Sequence, residues 1–243
     1  MIARRRADRL LVERGLFESR AKAQAAIAAG LVLADDRPVT KPSEEIPIDC
    51  KLQATAAYPY VSRGGVKLAA ALDHFGFDPK GRVCLDVGAS TGGFTDVLLQ
   101  RGARRVYAVD VGHNQLHVSL REKPEVLALE RTDIRKLDPA RLPEPPDFVV
   151  VDVSFTSLKL TLPPALLLVQ RPAQLVALIK PQFEVGRSHV KKGLVRDTEI
   201  HAAVCDHLSA YVELLGWHVV DVIPSPILGG EGNREFLLGV KLD

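Results

Sequence analysis

Two apolar segments of the sequence end in side chains that can take part in proton transfer. The segment DFVVVD ends at Asp152, and the segment LVALIK ends at Lys180. Near-continuous apolar runs are typical of buried parallel strands, and the carboxyl ends of such strands form the edge of the sheet where ligands bind. A lysine at the end of an apolar strand is costly to bury without a partner. We therefore expect Asp152 and Lys180 to share one site, where an acid and an amine can take part in proton transfer.

A glycine-rich turn, VGASTGGF, is the second candidate site. It follows an apolar strand and precedes a helix, which is the context of a ligand-binding βαβ unit. The next strand stops at Asp110, a place where an acid can accept hydrogen bonds from ribose hydroxyls. The turn and Asp110 together would suit a nucleoside-containing ligand.

Three ligands or chemistries compete for this turn. A dinucleotide turn requires G-x-G-x-x-G, but Ser90 stands at the middle glycine. Residues 88–92 also fit the G-x-S-x-G nucleophile elbow of hydrolases, yet the turn follows the first strand of its domain, and no later Asp–His pair suggests itself. S-adenosylmethionine (SAM) carries no phosphates and tolerates a serine here. Asp133, after the third strand, could meet the adenine amino group, or it could simply cap a helix.

Alternating strand and helix patterns position these residues. Strands are predicted at about 82–87, 105–110, 125–129, 146–152, 173–179, 217–223 and 234–242, and helices at about 67–76, 92–101, 113–121, 158–169 and 199–215. This alternation predicts an α/β, Rossmann-like, doubly wound fold: a mostly parallel seven-stranded sheet with helices on both faces.

The first part of the chain has a different pattern. Two helices, at 7–14 and 18–30, are ended by Gly15 and Gly30, and a short strand–turn–strand follows. We expect a small α+β domain at 1–58, a linker at 59–66 and the α/β domain at 67–243. Residues 1–24 hold seven Arg or Lys against three acids, a cluster that is either a phosphate-binding surface or a solvated helix face.

The bulk composition excludes several classes of protein. The chain has 243 residues, is 47% hydrophobic and carries a formal net charge of +2. Its three cysteines form no CxxC pair, so no metal site is predicted, and their small number suits a reducing compartment. The sequence shows neither a signal-peptide core nor an apolar run long enough to span a bilayer. We expect a cytoplasmic protein.

Taken together, the motifs resemble one known family. Lys67, Asp152, Lys180 and Glu235 match in order and spacing the K-D-K-E tetrad of FtsJ-like (RrmJ-type) ribose 2′-O-methyltransferases. The blocks YVSRGGVKL, LDVGASTGGFTDVLLQRGA, VVVDVSFTSL, IKPQFEVG and GNREF are similar to those of the TlyA family, the so-called hemolysin A proteins. The N-terminal segment resembles the S-four RNA-binding domain. The resemblance covers nearly the whole chain.

The resemblance implies transfer of the SAM methyl group to the 2′-hydroxyl of a cytidine in ribosomal RNA. Lys180 would be the general base, Asp152 would orient it, and Glu235 would position Lys67 or the ribose. SAM would be bound by Gly88, Ser90, Gly92, Gly93, Phe94, Asp110 and Asp133. The RNA phosphates would be bound by Arg4, Arg5, Arg6, Arg9, Arg20 and Lys22.

Two rival functions and two open points accompany this interpretation. The older family name suggests a cytolysin, but a pore-former needs a spanning or strongly amphipathic segment, and the sequence shows neither. A non-catalytic ribosome-binding factor is the other rival, and the intact tetrad argues against it.

The chain ends at Asp243 without the extension of longer TlyA proteins, which favours large-subunit rRNA as the substrate. A monomer is expected.

Overall fold

In a computed structural model, which describes residues 3–230 and 232–243, the chain divides into two compact units. The units are Met1–Pro59 and Tyr60–Asp243. The larger of them, Tyr60–Asp243, is called the catalytic unit below.

Within its described residues, the N-terminal unit combines two helices with five short strands. Its elements are β1 Arg4–Arg6, α1 Ala7–Glu13, α2 Arg20–Ala28, β2 Val32–Ala34, β3 Arg37–Pro38, β4 Glu45–Pro47 and β5 Leu52–Ala54. Strand β1 pairs antiparallel with β4, and β2 lies between β3 and β5. The predicted helices and strand–turn–strand are present, whereas β1, β4 and β5 were not predicted. Runs of three residues are too short to show an alternating pattern.

A buried carboxylate ties the two helices of this unit together. Asp8 on α1 is fully buried and receives hydrogen bonds from Arg6, at 3.1 Å, and from Arg20 on α2, at 2.7 Å. Gln24 donates a third bond, at 2.9 Å. The Arg6 guanidinium, followed by Arg20 and Gln24, holds the pKa of Asp8 well below its usual range. Around this cluster lies a core that includes Leu11, Phe17, Ile27 and Val32.

The catalytic unit alternates strands with helices. Its elements are α3 Gly64–Phe75, β6 Val83–Val87, α4 Gly93–Gln100, β7 Arg105–Val109, α5 Val118–Arg121, β8 Val126–Leu129, β9 Phe148–Val151, α6 Leu158–Leu166, β10 Ala173–Ile179, α7 Pro181–Glu184, α8 Thr198–Leu214, β11 His218–Pro224 and β12 Phe236–Leu242. Three short 3-10 helices lie at Ile134–Lys136, Pro139–Arg141 and Arg187–His189.

All seven strands of this unit form one sheet, in the order β11-β12-β10-β9-β6-β7-β8. The pairs from β10 to β8 are parallel, and β12 runs antiparallel to both of its neighbours. The strand order reverses between β6 and β9, because β7 and β8 lie on one side of β6 and the later strands on the other. Ligands bind at such a switch point, beyond the carboxyl ends of the strands.

Helices cover both faces of the sheet. On one face, α6 and α8 pack Leu162 and Leu208 against strand residues such as Val149. On the other, α3 and α4 pack Leu72 and Leu98 against the alternate strand positions. The predicted Rossmann-like fold is therefore confirmed. Among the described residues, no helix is both long and apolar enough to span a bilayer.

Two predicted helices differ from those observed. Helix α3 begins at Gly64, inside the stretch predicted as a linker, so Lys67 lies in its first turn. The helix predicted at 113–121 is reduced to Val118–Arg121. The reason is Glu130, whose carboxylate accepts the backbone N–H groups of Asn114, Gln115 and Leu116 at 2.8–3.4 Å. These bonds hold the segment in a loop and lower the pKa of Glu130.

The buried carboxylate of the N-terminal unit predicts a selective loss of stability. We expect Asp8→Ala to leave Arg6 and Arg20 without their partner and to reduce the free energy of unfolding of this unit by about 2–4 kcal/mol. Far-UV circular dichroism reports on both units, whereas the single tryptophan, Trp217, is buried in the catalytic unit. The circular dichroism transition should therefore shift while the fluorescence transition stays in place. A shift of the fluorescence transition alone would contradict the stabilising role of Asp8 in the N-terminal unit.

Candidate active site

The site is built where the ends of β6 and β9 approach each other. Gly88 follows β6 with a φ of +86°, and a Cβ at this position would collide with the backbone carbonyl of Asp152. The Asp152 N–H in turn donates to the Val87 carbonyl at 2.9 Å. Glycine at 88 thus lets the two strand ends converge at the switch point and places Asp152 beside the glycine-rich turn.

Lys180 and Asp152 form an ion pair at the adjoining strand ends. Lys180 Nζ lies 2.6 Å from Asp152 Oδ1 and donates to Ser154 Oγ at 2.9 Å. Because β10 pairs directly with β9, the two strands deliver these side chains to the same edge. The predicted neighbourhood of Asp152 and Lys180 is therefore present. Ser154 was not predicted, although it lies two residues after Asp152.

A second ion pair is more deeply buried. Lys67 Nζ, on α3, lies 2.5 Å from Glu235 Oε2, just before β12, and both residues are less than 7% exposed. Each charge is costly to bury alone, so the two side chains hold each other in place. Gly229 leaves room for the carboxylate, because a Cβ there would collide with it.

All four side chains line one cavity of about 580 Å³. Ser62, Arg63 and Gly64 contribute to its wall from the start of α3, and Gly88, Ser90, Gly93 and Phe94 contribute from the glycine-rich turn. The two ion pairs give the cavity two amines and two carboxylates. The tetrad that lies far apart in the sequence is thus brought together in the fold.

A second cavity, of about 510 Å³, lies beyond the ends of β6 and β7. It contains Asp110, whose carboxylate accepts the N–H groups of Ser90 and Gly112 at 2.7 Å each. Asp133 also lines this cavity. It caps a 3-10 helix through the Arg135 N–H and pairs with the Arg135 guanidinium at 2.6 Å, which lowers the pKa of Asp133. Asp133 therefore both caps the 3-10 helix and lines the cavity, so the two alternatives do not exclude each other.

The two cavities meet at shared residues. Gly88, Ser90, Asp152, Ser154 and Phe155 line both. Asp152 is the member of the tetrad that faces both spaces, so groups held in the two cavities would meet beside it.

Gly92 differs from the other glycines of the turn. It lines neither cavity and precedes α4 with a φ of +94°. A Cβ there would collide with Leu120 and Leu116, so this glycine allows close packing rather than ligand contact.

An exposed aromatic side chain at the cavity mouth was missed by the sequence reasoning. Phe155 is 91% exposed and has a φ of +62°, in the left-handed region that a phenylalanine rarely adopts. Its ring centroid lies 5.1 Å from that of Phe183, which also lines the first cavity. An apolar aromatic residue three positions after a strand-end acid is the sequence signal that could have drawn attention to it.

The basic residues of the N-terminal unit are mostly engaged with partners. Arg6 and Arg20 hold Asp8, while the other contacts join Arg5 to Glu13, Lys22 to Glu18 and Arg4 to the Glu45 carbonyl. In the part of the chain that the structure describes, Arg9 is exposed and has no ion pair. Several of these cations therefore form contacts within the N-terminal unit, which a count of charges in the sequence could not show.

Asp86 is a buried carboxyl group beneath the glycine-rich turn. It is fully buried; Oδ2 accepts the Thr95 hydroxyl at 2.6 Å, while Oδ1 has no hydrogen-bond partner among the described residues. Burial, together with the nearby carboxylates Asp152 and Asp110, raises the pKa of Asp86 to about 7.

Comparison with protein-family models gives two matches. Residues 60–242 match the FtsJ-like methyltransferase, and residues 5–48 match the S4 domain. The first match spans most of the chain.

The chain belongs to the FtsJ-like methyltransferase family.

Relatives of known name agree with this family. The 16S/23S rRNA (cytidine-2′-O)-methyltransferase TlyA of Mycobacterium tuberculosis is 44% identical over 244 residues, which cover 99% of this chain and 91% of that protein. Hemolysin A of Brachyspira hyodysenteriae is 38% identical over 234 residues, 96% of this chain and 98% of that protein. A solved structure of a hemolysin-named protein from Streptococcus thermophilus superposes with a TM-score of 0.78 at 41% identity, covering 99% and 89% of the two chains. The resemblance to the TlyA family is confirmed.

The buried carboxyl group of this FtsJ-like methyltransferase predicts a pH-dependent effect of Asp86→Asn. The folded protein keeps the Asp86 proton up to about pH 7, whereas the unfolded chain releases it near pH ~4. The wild type therefore loses stability relative to the variant as the pH rises through this interval. We expect the difference in free energy of unfolding, variant minus wild type, to grow by on the order of 2 kcal/mol between pH 5 and pH 7.

Urea unfolding followed by Trp217 fluorescence measures this difference. Asp78→Asn is the matched control, because Asp78 is exposed and precedes β6 at the opposite edge of the sheet. The control should show no such trend. A difference between Asp86→Asn and wild type that stays constant from pH 5 to pH 8 would contradict the prediction.

Proposed function

We propose that this chain transfers the methyl group of SAM to the ribose 2′-hydroxyl of a cytidine in ribosomal RNA. The observation that carries the proposal is the Lys180–Asp152 ion pair at the junction of two cavities, one suited to a nucleoside-containing donor and the other to the acceptor. The family and the printed activity of the M. tuberculosis relative support the same reaction.

The residues of the second cavity fit SAM better than a dinucleotide. Three carboxylates, Asp110, Asp133 and Asp152, line it. Arg135 pairs with Asp133 and Lys180 pairs with Asp152. Among the described residues, the negative charge of Asp110 is left without an ion pair. This charge repels a pyrophosphate and suits a ligand with a positive sulfonium and ammonium group. Both Asp110 oxygens accept one backbone bond each, which leaves a further lone pair on each for ribose hydroxyls.

The remaining walls of the second cavity suit a nucleoside. Val109, Val111, Ile134 and Val153 provide apolar surface for a base. The turn from Gly88 to Ser90 would hold the amino-acid part of the ligand near Asp152. When bound, SAM supplies an electrophilic methyl group.

The chain's own residues would align the acceptor and receive its proton. Asp152 and Ser154 fix the position of Lys180 Nζ, which would act as the general base that accepts the 2′-hydroxyl proton when the hydroxyl oxygen takes the methyl group that SAM would supply. Glu235 holds Lys67 in the same cavity, where its positive charge favours the developing alkoxide. Alignment of hydroxyl and methyl group supplies much of the rate enhancement of such a displacement.

The target nucleotide would be recognised around Phe155. An exposed aromatic ring beside a cavity can stack against an unpaired base, which is how proteins commonly hold nucleotides taken out of an RNA helix. The N-terminal unit, which matches the S4 domain, would hold the surrounding RNA through exposed cations such as Arg9. Mapping ribose methylation on both ribosomal RNAs, with and without the protein, would identify the nucleotide and test the preference for the large subunit.

The role of Lys180 is tested by two substitutions. Lys180→Ala should retain SAM binding and reduce methyl transfer by at least ~10²-fold. Lys180→Arg should be equally inactive, because a guanidinium stays protonated and cannot accept the proton. Single-turnover methylation of unmodified ribosomal subunits measures these rates, and an active Lys180→Arg enzyme would leave Lys180 a positioning role only.

The choice of donor is tested by calorimetric titration. We expect binding of SAM and S-adenosylhomocysteine but not of NAD, with affinity for SAM reduced about 10- to 100-fold by Asp110→Ala, since hydrogen bonds to a charged group are lost. Asp78→Ala serves as the control, because it removes an exposed carboxylate from the opposite edge of the sheet. Titrations are repeated with ribosomal subunits present. Comparable affinity for NAD would overturn the choice of SAM.

A further inference from the structure

The segment 190–196, called the basic turn below, follows a 3-10 helix and leads into α8. Lys191 and Leu194 exchange two backbone hydrogen bonds of 3.0 Å. Lys192 and Gly193 lie between them with φ angles of +51° and +78°. This is the backbone pattern of a tight two-residue reversal, in which the side chain at 192 is carried at the tip.

The basic turn concentrates three cations that form no ion pair in the described part of the chain. Lys191, Lys192 and Arg196 are all exposed, and among the residues that the structure describes none of them has an ion pair. The acid that follows, Asp197, caps α8 by accepting the Glu199 N–H at 2.9 Å. These cations differ from Arg6 and Arg20, which neutralise a buried carboxylate.

Buried polar side chains hold the backbone of the basic turn. Asn233, only 3% exposed, accepts the Val195 N–H at 3.1 Å and donates to the Gly193 carbonyl at 2.8 Å. The ring of buried His201 lies 3.0 Å from the Val195 carbonyl, and the Val195 side chain is itself buried. A loop fixed in this way has already lost the conformational freedom that binding would otherwise cost.

The basic turn also lies at the first cavity. Val190 and Gly193 line the same space as Lys180 and Glu235. Asn233, which holds the turn, is two residues from Glu235 in the chain. The turn is therefore attached to the segment that carries one member of the tetrad.

We propose that the basic turn is a phosphate-binding element of the catalytic unit, which holds the backbone of the RNA strand whose ribose enters the first cavity. The proposal rests on the proposed function and adds a contact surface separate from the N-terminal unit. Exposed lysine ammonium groups bind phosphates as point charges and read no base sequence, so the turn would add affinity and register rather than sequence preference.

The test compares two pairs of substitutions in the full chain. Lys191→Ala/Lys192→Ala removes two charges from the basic turn. Lys80→Ala/Lys123→Ala removes two exposed charges that precede β6 and β8, at the opposite edge of the sheet. Affinity for a fluorescent ribosomal RNA fragment that contains the mapped nucleotide is measured across a series of salt concentrations, together with SAM affinity and the unfolding transition.

Loss of two phosphate contacts should reduce the slope of log affinity against log salt by about 1 to 2, and should weaken binding several-fold at low salt. The control pair should keep the wild-type slope, and both pairs should keep SAM affinity and the unfolding transition. Asn233→Ala leaves the charges in place but frees the backbone, so it should weaken binding with little change in slope.

The possible results separate the two proposals. If Lys191→Ala/Lys192→Ala keeps the wild-type slope of log affinity against log salt and still methylates ribosomal subunits, the basic turn does not bind phosphates. The proposed function would be unaffected by that result. An equal effect of the control pair would also overturn it, because the loss would then reflect net charge alone. Wild-type protein that neither binds nor methylates ribosomal RNA would overturn both.

Discussion

The approach of the β6 end to the β9 end controls the position of Asp152 beside the glycine-rich turn. Gly88 adopts a left-handed φ, and its missing Cβ leaves space for the backbone carbonyl of Asp152. A larger residue here would force the two strand ends apart at the point where the strand order reverses. The pairing of Asp152 with Lys180, and the junction of the two cavities beside Asp152, depend on this one close approach.

Charge compensation then determines which side chains can share the first cavity. Two amines in a confined space repel each other, but each is held by its own carboxylate, Asp152 for Lys180 and Glu235 for Lys67. The two pairs differ in burial, since the Lys67–Glu235 pair is the more enclosed.

Much of this arrangement could be predicted from the sequence, because parallel strands buried on both faces leave an unmistakable apolar pattern. The five parallel strands, with the acid and the lysine at their ends, follow from that pattern. What could not be predicted depends on long-range partners. The segment 113–117 has a helical pattern but is a loop, since Glu130 takes its backbone N–H groups. Arg6 and Arg20 look like free cations until Asp8 is seen between them.

The position of β12 has a consequence for synthesis of the protein. This strand lies between β10 and β11, although both are made before it, and Glu235 stands at its start. Lys67 is therefore separated by 168 positions from the carboxylate that neutralises it. A nascent chain that has emerged only as far as β11 lacks the strand that separates β10 from β11. Its Lys67 also lacks the carboxylate partner. The first cavity is therefore complete only after nearly the whole chain has been synthesised and β12 has entered the sheet.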